Sequence, residues 1–286
     1  MTDYQKTTWR LMKTPPAAGP WNMAVDEAIL ESVRNSSSPP TLRLYAWTPP
    51  CLSIGYAQPI SDIDMGALTK YNWTCVRRPT GGRAILHTDE LTYAVIGPQS
   101  DPRLAGGVLE SYRKLSHALL RALELMNIPA VASHKTDRQS GNPHTQDSGM
   151  TISSNPVCFE VPSNYEITVE GKKLIGSAQA RRKGGVLQHG SLPLDGDLTR
   201  ITRALVFPSD NERAAAAARL LDRATTVENV MDHPVPWDIA AGAFCEAFED
   251  TLNLDLQHTS LTSLELKRVK DIMDEKYAHS NWTNRI

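Results

Sequence analysis

Arg77-Arg-Pro-Thr-Gly-Gly-Arg-Ala-Ile-Leu-His87 is the stretch on which the fold turns. Trp73-Thr-Cys-Val-Arg77 alternates into it, and Ala84-Ile-Leu-His87 alternates out, followed by the apolar run Leu91-Thr-Tyr-Ala-Val-Ile96. Strand-forming residues on both sides of a Pro-Thr-Gly-Gly turn predict a loop held by sheet. Paired glycines let backbone N–H groups approach a ligand, and the arginines offer fixed forks for anionic or carbonyl oxygen. The same residues would also make a strained turn on a solvated edge, and the stretch matches neither a Walker A nor a GxGxxG pattern.

Upstream, Asn22 to Arg34 carries Val25, Ala28, Ile29 and Val33 at helical spacing, with Asn22 as cap and Asp26 and Glu27 in the first turn. Thr41 to Trp47 and Cys51 to Tyr56 read as strands separated by Pro49-Pro50. Downstream, Val108, Tyr112, Leu115, Leu119, Ala122 and Met126 line one face of a long helix that stops at Asn127 and Pro129. Ser133 to Ser154 is polar, rich in small residues and without period, which predicts a mobile loop. Order returns at Val157 to Val161, then Tyr165 to Val169 and Lys173 onward flank Glu170-Gly171, a hairpin signal, and Gly185 to His189 adds a strand. From Leu198 the pattern is helical: the Ala214 to Ala217 run, Trp237 to Leu252, and a helix opened by the capping box Thr262-Ser-Leu-Glu265. Strands early and helices late predict an α+β fold, a mixed or antiparallel sheet core flanked by helices with a helical C-terminal segment. The expected division is a body over 1–255 and a small appendage over 256–286.

The chain has 286 residues, 41% of them hydrophobic, enough for a large core. With 30 basic against 32 acidic residues the net charge is −2, so no broad cationic field exists to bind nucleic acid or an anionic membrane. Cys51, Cys75, Cys158 and Cys245 stand 24, 83 and 87 residues apart, with no CxxC pair and no zinc-type spacing. A reducing cytoplasm is the expectation, with neither signal segment nor membrane span and no metal site.

Beyond the glycine loop, Gly171-Lys-Lys-Leu-Ile-Gly-Ser-Ala-Gln179 places Lys173 and Ile175 on one face by simple alternation, and Gly176-Ser177-Ala178 admits a close-lying chain. Lys173 is then either a cation aimed into a groove or an edge-strand lysine that discourages aggregation. Cys158 is the cysteine beside the polar loop; Cys51, Cys75 and Cys245 fall in regular elements and read as packing residues. His87 and His189 lie in strands near glycine-rich turns and are candidates to meet across the sheet as proton carriers, or to be hydrogen-bonded core histidines. Arg181-Arg-Lys183 is a basic turn that is either merely solvated or able to steer an acidic partner protein.

In order and spacing, Arg77 to His87, Gly171 to Gln179 and Gln188-His-Gly190 resemble the lipoate/biotin protein ligase superfamily over roughly residues 20 to 280. Within it, Pro156-Val-Cys-Phe-Glu and Tyr165-Glu-Ile resemble the LipM-type octanoyltransferases. The resemblance implies that catalytic domain type and transfer of octanoyl from octanoyl acyl carrier protein to a lysine of a lipoyl-domain protein such as the glycine cleavage H protein. It implies Cys158 as nucleophile with Lys173 beside it, and no cofactor. Arg78, Thr80, Gly81, Gly82, His87, Gly176, Ser177, Ala178, Gln179, His189 and Gly190 would bind the substrate. LipB-type transferases carry their cysteine downstream of the His-Gly strand, where this chain has none before Cys245. Thr88 separates His87 from Asp89, and Arg83 stands where many ligases have a third glycine, both departures from the ATP-dependent ligase pattern. The other readings are such a ligase, an amidotransferase between lipoyl domains, and a non-catalytic binder of acylated protein.

Overall fold

The computed structural model describes residues 4–134 and 165–286. The expected strand at Val157 to Val161, nearly all of the polar loop, and Cys158 lie outside the described residues. The first strands and helix are β1 (Thr7–Lys13), α1 (Gly19–Arg34), β2 (Thr41–Tyr45) and β3 (Cys51–Ile54). Next come α2 (Met65–Lys70), β4 (Thr74–Arg77), β5 (Ile85–His87), β6 (Glu90–Pro98), α3 (Val108–Leu125) and β7 (Val131–His134). Then follow β8 (Tyr165–Val169), β9 (Lys172–Arg182), β10 (Gly185–Pro193), α4 (Asp210–Arg223) and α5 (Val227–Met231). Last are α6 (Trp237–Leu252), β11 (Leu254–His258), α7 (Ser263–Ile272) and α8 (Ser280–Thr283).

The large sheet has the order β11-β1-β2-β6-β10-β9-β8-β7, and a smaller one the order β4-β3-β5. β1 pairs in parallel with both β11 and β2, whereas β2-β6, β6-β10, β10-β9 and β9-β8 are antiparallel. The sheet is mixed and both its faces are covered, so the fold is α+β as the element order predicts.

The two-residue period sorts the core. On one face Leu42, Leu44, Tyr93 and Val95 pack with Leu115, Leu119, Phe244 and Phe248 of α3 and α6. On the other, Tyr45, Ala94, Ile96 and Leu187 pack with Met23, Ile29 and Val33 of α1 and with Val269 of α7. Leu52, Ile54, Leu68, Ile201 and Leu220 form a third cluster under the small sheet. The cleft described below lies where the two sheets face each other.

α1 departs from its sequence reading in an informative way. It begins at Gly19 after Ala18 with Pro20 in its first turn, and Asn22 is no cap but a fully buried helix residue. The Asn22 amide donates to Ala17 O and Ala46 O at 3.1 Å each and its Oδ1 accepts from Arg43 Nη2 at 2.7 Å. Asp26 is also buried, with Arg43 Nη1 donating to it at 2.7 Å. An arginine projecting from β2 toward α1 turns residues that read as helix-start polarity into an internal network.

The Glu170-Gly171 turn has positive φ at both positions, 51° and 79°, as a two-residue hairpin connection requires. The capping box is formed: Glu265 N donates to Thr262 Oγ1 at 3.1 Å and Thr262 N to Glu265 Oε2 at 2.9 Å. Glu265 also receives Arg10 at 2.8 and 3.0 Å, which ties α7 to β1. The tail is not wholly helical, because β11 adds to the sheet edge beside β1. Residue 255 lies inside that strand, and residues beyond it carry α7 onto α1.

Candidate functional site

Residues from both sequence motifs line one narrow cleft between the sheets: Arg78 and His87 with Gly176, Ser177, Ala178, His189 and Gly190. Trp47, Ser53, Thr92 and Ser191 complete its polar side, and Met23, Tyr45 and Ile85 its apolar side. The pairing explains the gathering. β10 aligns His189 with Ala178 and Ser191 with Gly176 across to β9, so one face of two adjacent strands presents small residues beside an imidazole.

Of the glycine loop, Arg78 lines this cleft, whereas Thr80, Gly81 and Gly82 lie beside it and do not. Alternation along β4 turns Arg77 and Arg78 opposite ways. Arg78 donates to Ser53 O at 2.9 Å, Ser53 Oγ at 3.1 Å, Gly81 O at 2.7 Å and Arg83 O at 2.8 Å, fixing the loop from within. Thr80 Oγ1 lies 2.7 Å from His189 Nε2, which ties the loop to β10. Gly82 takes φ +90°, and its carbonyl presses on Gly55, where an added Cβ would stand 1.9 Å from that oxygen. Gly81 is exposed with open space at its Cα.

His87 and His189 both line the cleft, but each is anchored to its own carboxylate. His87 Nδ1 lies 2.7 Å from Glu90 Oε1 and its Nε2 lies 2.7 Å from Ser53 Oγ. A carboxylate at Nδ1 needs the N–H there, and the Ser53 hydroxyl that meets Nε2 also takes Arg78's N–H. His87 stacks on Trp47 with ring centroids 4.0 Å apart and planes at 9°. Glu90 also accepts from Ser191 at 2.8 Å and from Thr92. Burial pushes the Glu90 carboxyl up, but His87 and these hydroxyl bonds outweigh it and hold it below the ordinary value.

His189 Nδ1 stands 3.7 Å from Asp26 Oδ2. Burial pushes the His189 pKa down despite the nearby Asp26, so the ring is neutral, and with its N–H toward Asp26 it accepts the Thr80 hydroxyl at Nε2. Asp26 is lifted by burial but held below the usual carboxylate range by Arg43 and His189. The sequence missed Asp26, Glu90 and Ser53 as members of the site. The available signals were Glu90 three residues after His87 and Asp26 on the apolar stripe of α1.

Lys173 reaches its position through a bulge. Ile167 pairs with Ile175 but Thr168 pairs with Lys173, so Leu174 is an extra residue in β9. The inserted residue reverses the alternation, and Lys173 emerges on the side of Thr168 while Ile175 joins the α3 core. Lys173 and Ile175 therefore do not share a face, contrary to the simple alternation. Lys173 is 4% exposed, three residues from Gly176, and its Nζ donates to Glu166 Oε1 at 3.1 Å. Gln179 does not line the cleft; its amide donates to Gln188 Oε1 at 2.8 Å and Ser111 Oγ at 3.0 Å on the α3 side.

Cys51 and Cys75 lie in β3 and β4 with thiols pushed up to about 12 by burial, and burial also raises Cys245 in α6. None of the three is a ready thiolate. Among the described residues no group of three or more His, Cys, Asp or Glu is arranged to hold a metal ion, and no helix is long and apolar enough to cross a membrane.

A mixed sheet and a smaller one with a histidine-lined cleft between them make the frame of an α+β domain. The family model for the lipoyl protein ligase A/B catalytic domain matches residues 19–249, and the chain belongs to that family. It is 39% identical to the octanoyltransferase LipM of Kyrpidia tusciae, over 97% of this chain and 99% of that protein. It is 38% identical to the octanoyltransferase LipM of Bacillus subtilis, over 97% and 98%. Its fold is similar to that of a bi-partite lipoate protein ligase from Thermoplasma acidophilum, with a TM-score of 0.79 at 22% identity over 97% of this chain and 96% of that one.

Proposed function

We propose that this chain is an octanoyltransferase of lipoate biosynthesis that moves octanoyl from octanoyl acyl carrier protein to a lysine of a lipoyl-domain protein, by way of a thioester on Cys158. The observation that carries the reading is similarity along nearly the whole chain to octanoyltransferases, at 39% identity in one relative. The high thiol pKa of Cys51 and Cys75 supports assigning the nucleophile to Cys158, the cysteine that the resemblance singled out.

In this reading the Cys158 thiolate attacks the donor thioester carbon, the donor C–S bond breaks, and the donor thiolate leaves and takes up a proton. The acceptor lysine amine then attacks the acyl-cysteine, an amide forms, and the cysteine sulfur departs. The first exchange is nearly thermoneutral and the second runs downhill to the amide, so no nucleotide is consumed. Lys173 supplies a positive charge that favours the thiolate and the polarised acyl carbonyl. The eight-carbon tail enters the cleft between His87, His189 and the small residues of β9, with the Gly81-Gly82 loop beside it. Burying seven methylene and methyl groups at ~0.8 kcal/mol each gives on the order of 5–6 kcal/mol. One methylene is a weak discriminator, so neighbouring chain lengths are also transferred. Residues 1–255 supply the catalytic body and 256–286 a smaller piece that braces the loop through Arg77, and the reaction belongs in the cytoplasm.

Intact mass after mixing the protein with octanoyl carrier protein, without ATP, tests this. A mass increase of one octanoyl group that disappears in Cys158→Ala is expected. Full turnover by Cys158→Ala, or transfer only from free octanoic acid with ATP, overturns it.

A further inference from the structure

The basic turn Arg181-Arg-Lys183 divides its side chains. Arg181 folds inward onto Leu104 O and Ser111 Oγ at 2.7 and 2.8 Å. Arg182 reaches the glycine loop, donating to Pro79 O at 3.2 Å, and its guanidinium lies 4.9 Å from the ring centre of Tyr56. Arg285 arrives at that ring from the C-terminal segment, 3.7 Å from its centre, and donates to Tyr56 O at 2.6 Å. The same carbonyl receives Arg77 Nη1 at 3.3 Å.

Three guanidinium groups thus surround one residue, and among the described residues none of the three forms an ion pair. Arg77 is spent on structure, its fork filled by Gly55 O, Gln58 O and Thr283 O at 2.6 to 3.0 Å. Arg285 keeps a buried Nε with no hydrogen-bond partner. Tyr56 is 39% exposed, so this positive charge faces solvent. Tyr56 N donates to Thr80 O at 2.8 Å, and Thr80 Oγ1 in turn meets His189 of the cleft at 2.7 Å, which ties the platform to the glycine loop beside the cleft. Like charges gathered without an internal counterion call for an anion, and planar forks on an aromatic platform suit a phosphate group.

We propose that Arg182 and Arg285 form a phosphate-binding site at the mouth of the acyl cleft, which holds the phosphate of the arm on which the acyl thioester arrives. The identity of that arm rests on the transferase reading; the phosphate site does not. In pantetheine donors the phosphate and the thioester are carried on one flexible arm, so an anion fixed at the loop guides the acyl group into the cleft beside it.

The test compares S-octanoyl-4′-phosphopantetheine with S-octanoyl-pantetheine, which lacks the phosphate, as donors for the full-length protein and for Arg182→Gln and Arg285→Gln. Each variant is expected to raise KM about tenfold for the phosphorylated donor with kcat held, and to leave the rate with the unphosphorylated donor unchanged. Equal losses with both donors would mean a disturbed loop, and no loss with either an idle surface; both overturn the proposal. If turnover requires octanoic acid and ATP, and the variants raise KM for ATP tenfold, the transferase reading fails while the phosphate site stands with a nucleotide as its ligand. If no donor turns over, calorimetry with coenzyme A decides: binding tenfold weaker in both variants supports the site, and equal binding removes it.

Discussion

Asp26→Asn removes one charge from a fully enclosed ion pair while keeping its shape. Asp26 and Arg43 are both 0% exposed, with Arg43 Nη1 2.7 Å from Asp26 Oδ1 and Tyr45 OH donating to Oδ2 at 3.1 Å. Breaking one side of such a pair costs about 3–5 kcal/mol, because the remaining charge has lost its counterion but not its burial. Arg43 retains dipoles here, Asn22 Oδ1 at 2.7 Å and Asn22 O at 3.1 Å, and it lies 3.9 Å from the Tyr45 ring centre. These contacts place the expected loss at the low end, about 3 kcal/mol. Urea unfolding at pH 7 measures it as a lower midpoint at unchanged slope. The pH dependence gives a second readout. Because Asp26 is held below its ordinary value, its contribution is complete above about pH 4 and is lost as pH falls through the lowered value. The variant should lack that share of acid sensitivity. A loss under about 1 kcal/mol, or an unchanged acid limb, would refute the assignment of Asp26 and Arg43 as a mutually dependent pair.

Replacing Lys173 by methionine keeps a side chain of similar length on the side of Thr168 but removes the charge that favours the thiolate. The protein should fold, since the hairpin turn is untouched, but octanoyl transfer should fall at least a hundredfold; a rate within threefold of wild type would show that the lysine charge does not serve the reaction. Gly55→Ala drives a methyl group into the Gly82 carbonyl, so kcat/KM should fall about tenfold or more with little change in the unfolding midpoint, and unaltered kinetics would mean that the loop shifts at no cost.

What could be read from the sequence was local. α3, the Glu170-Gly171 hairpin and the Thr262 capping box depend on residues within one or two turns of each other, and the structure bears them out. β11 escaped the reading because its partner β1 lies near residue 7, some 247 positions away, and no short window contains both. Asn22 and Asp26 look like the polar start of a surface helix until Arg43 is placed opposite them, which only the packing of α1 on the sheet does. The bulge at Leu174 is similar: the strand was visible, but its phase is fixed by β8. The residues of the two glycine motifs and both histidines were identified, whereas the carboxylates that anchor those histidines come from outside the motifs.

The flat stacking of His87 on Trp47 gives the cleft an optical reporter of its own. An indole lying against an imidazole changes its emission when that ring gains a proton or when an alkyl chain wedges beside it. A variant that keeps Trp47 and replaces the other tryptophans by phenylalanine would therefore follow filling and emptying of the cavity without any attached dye.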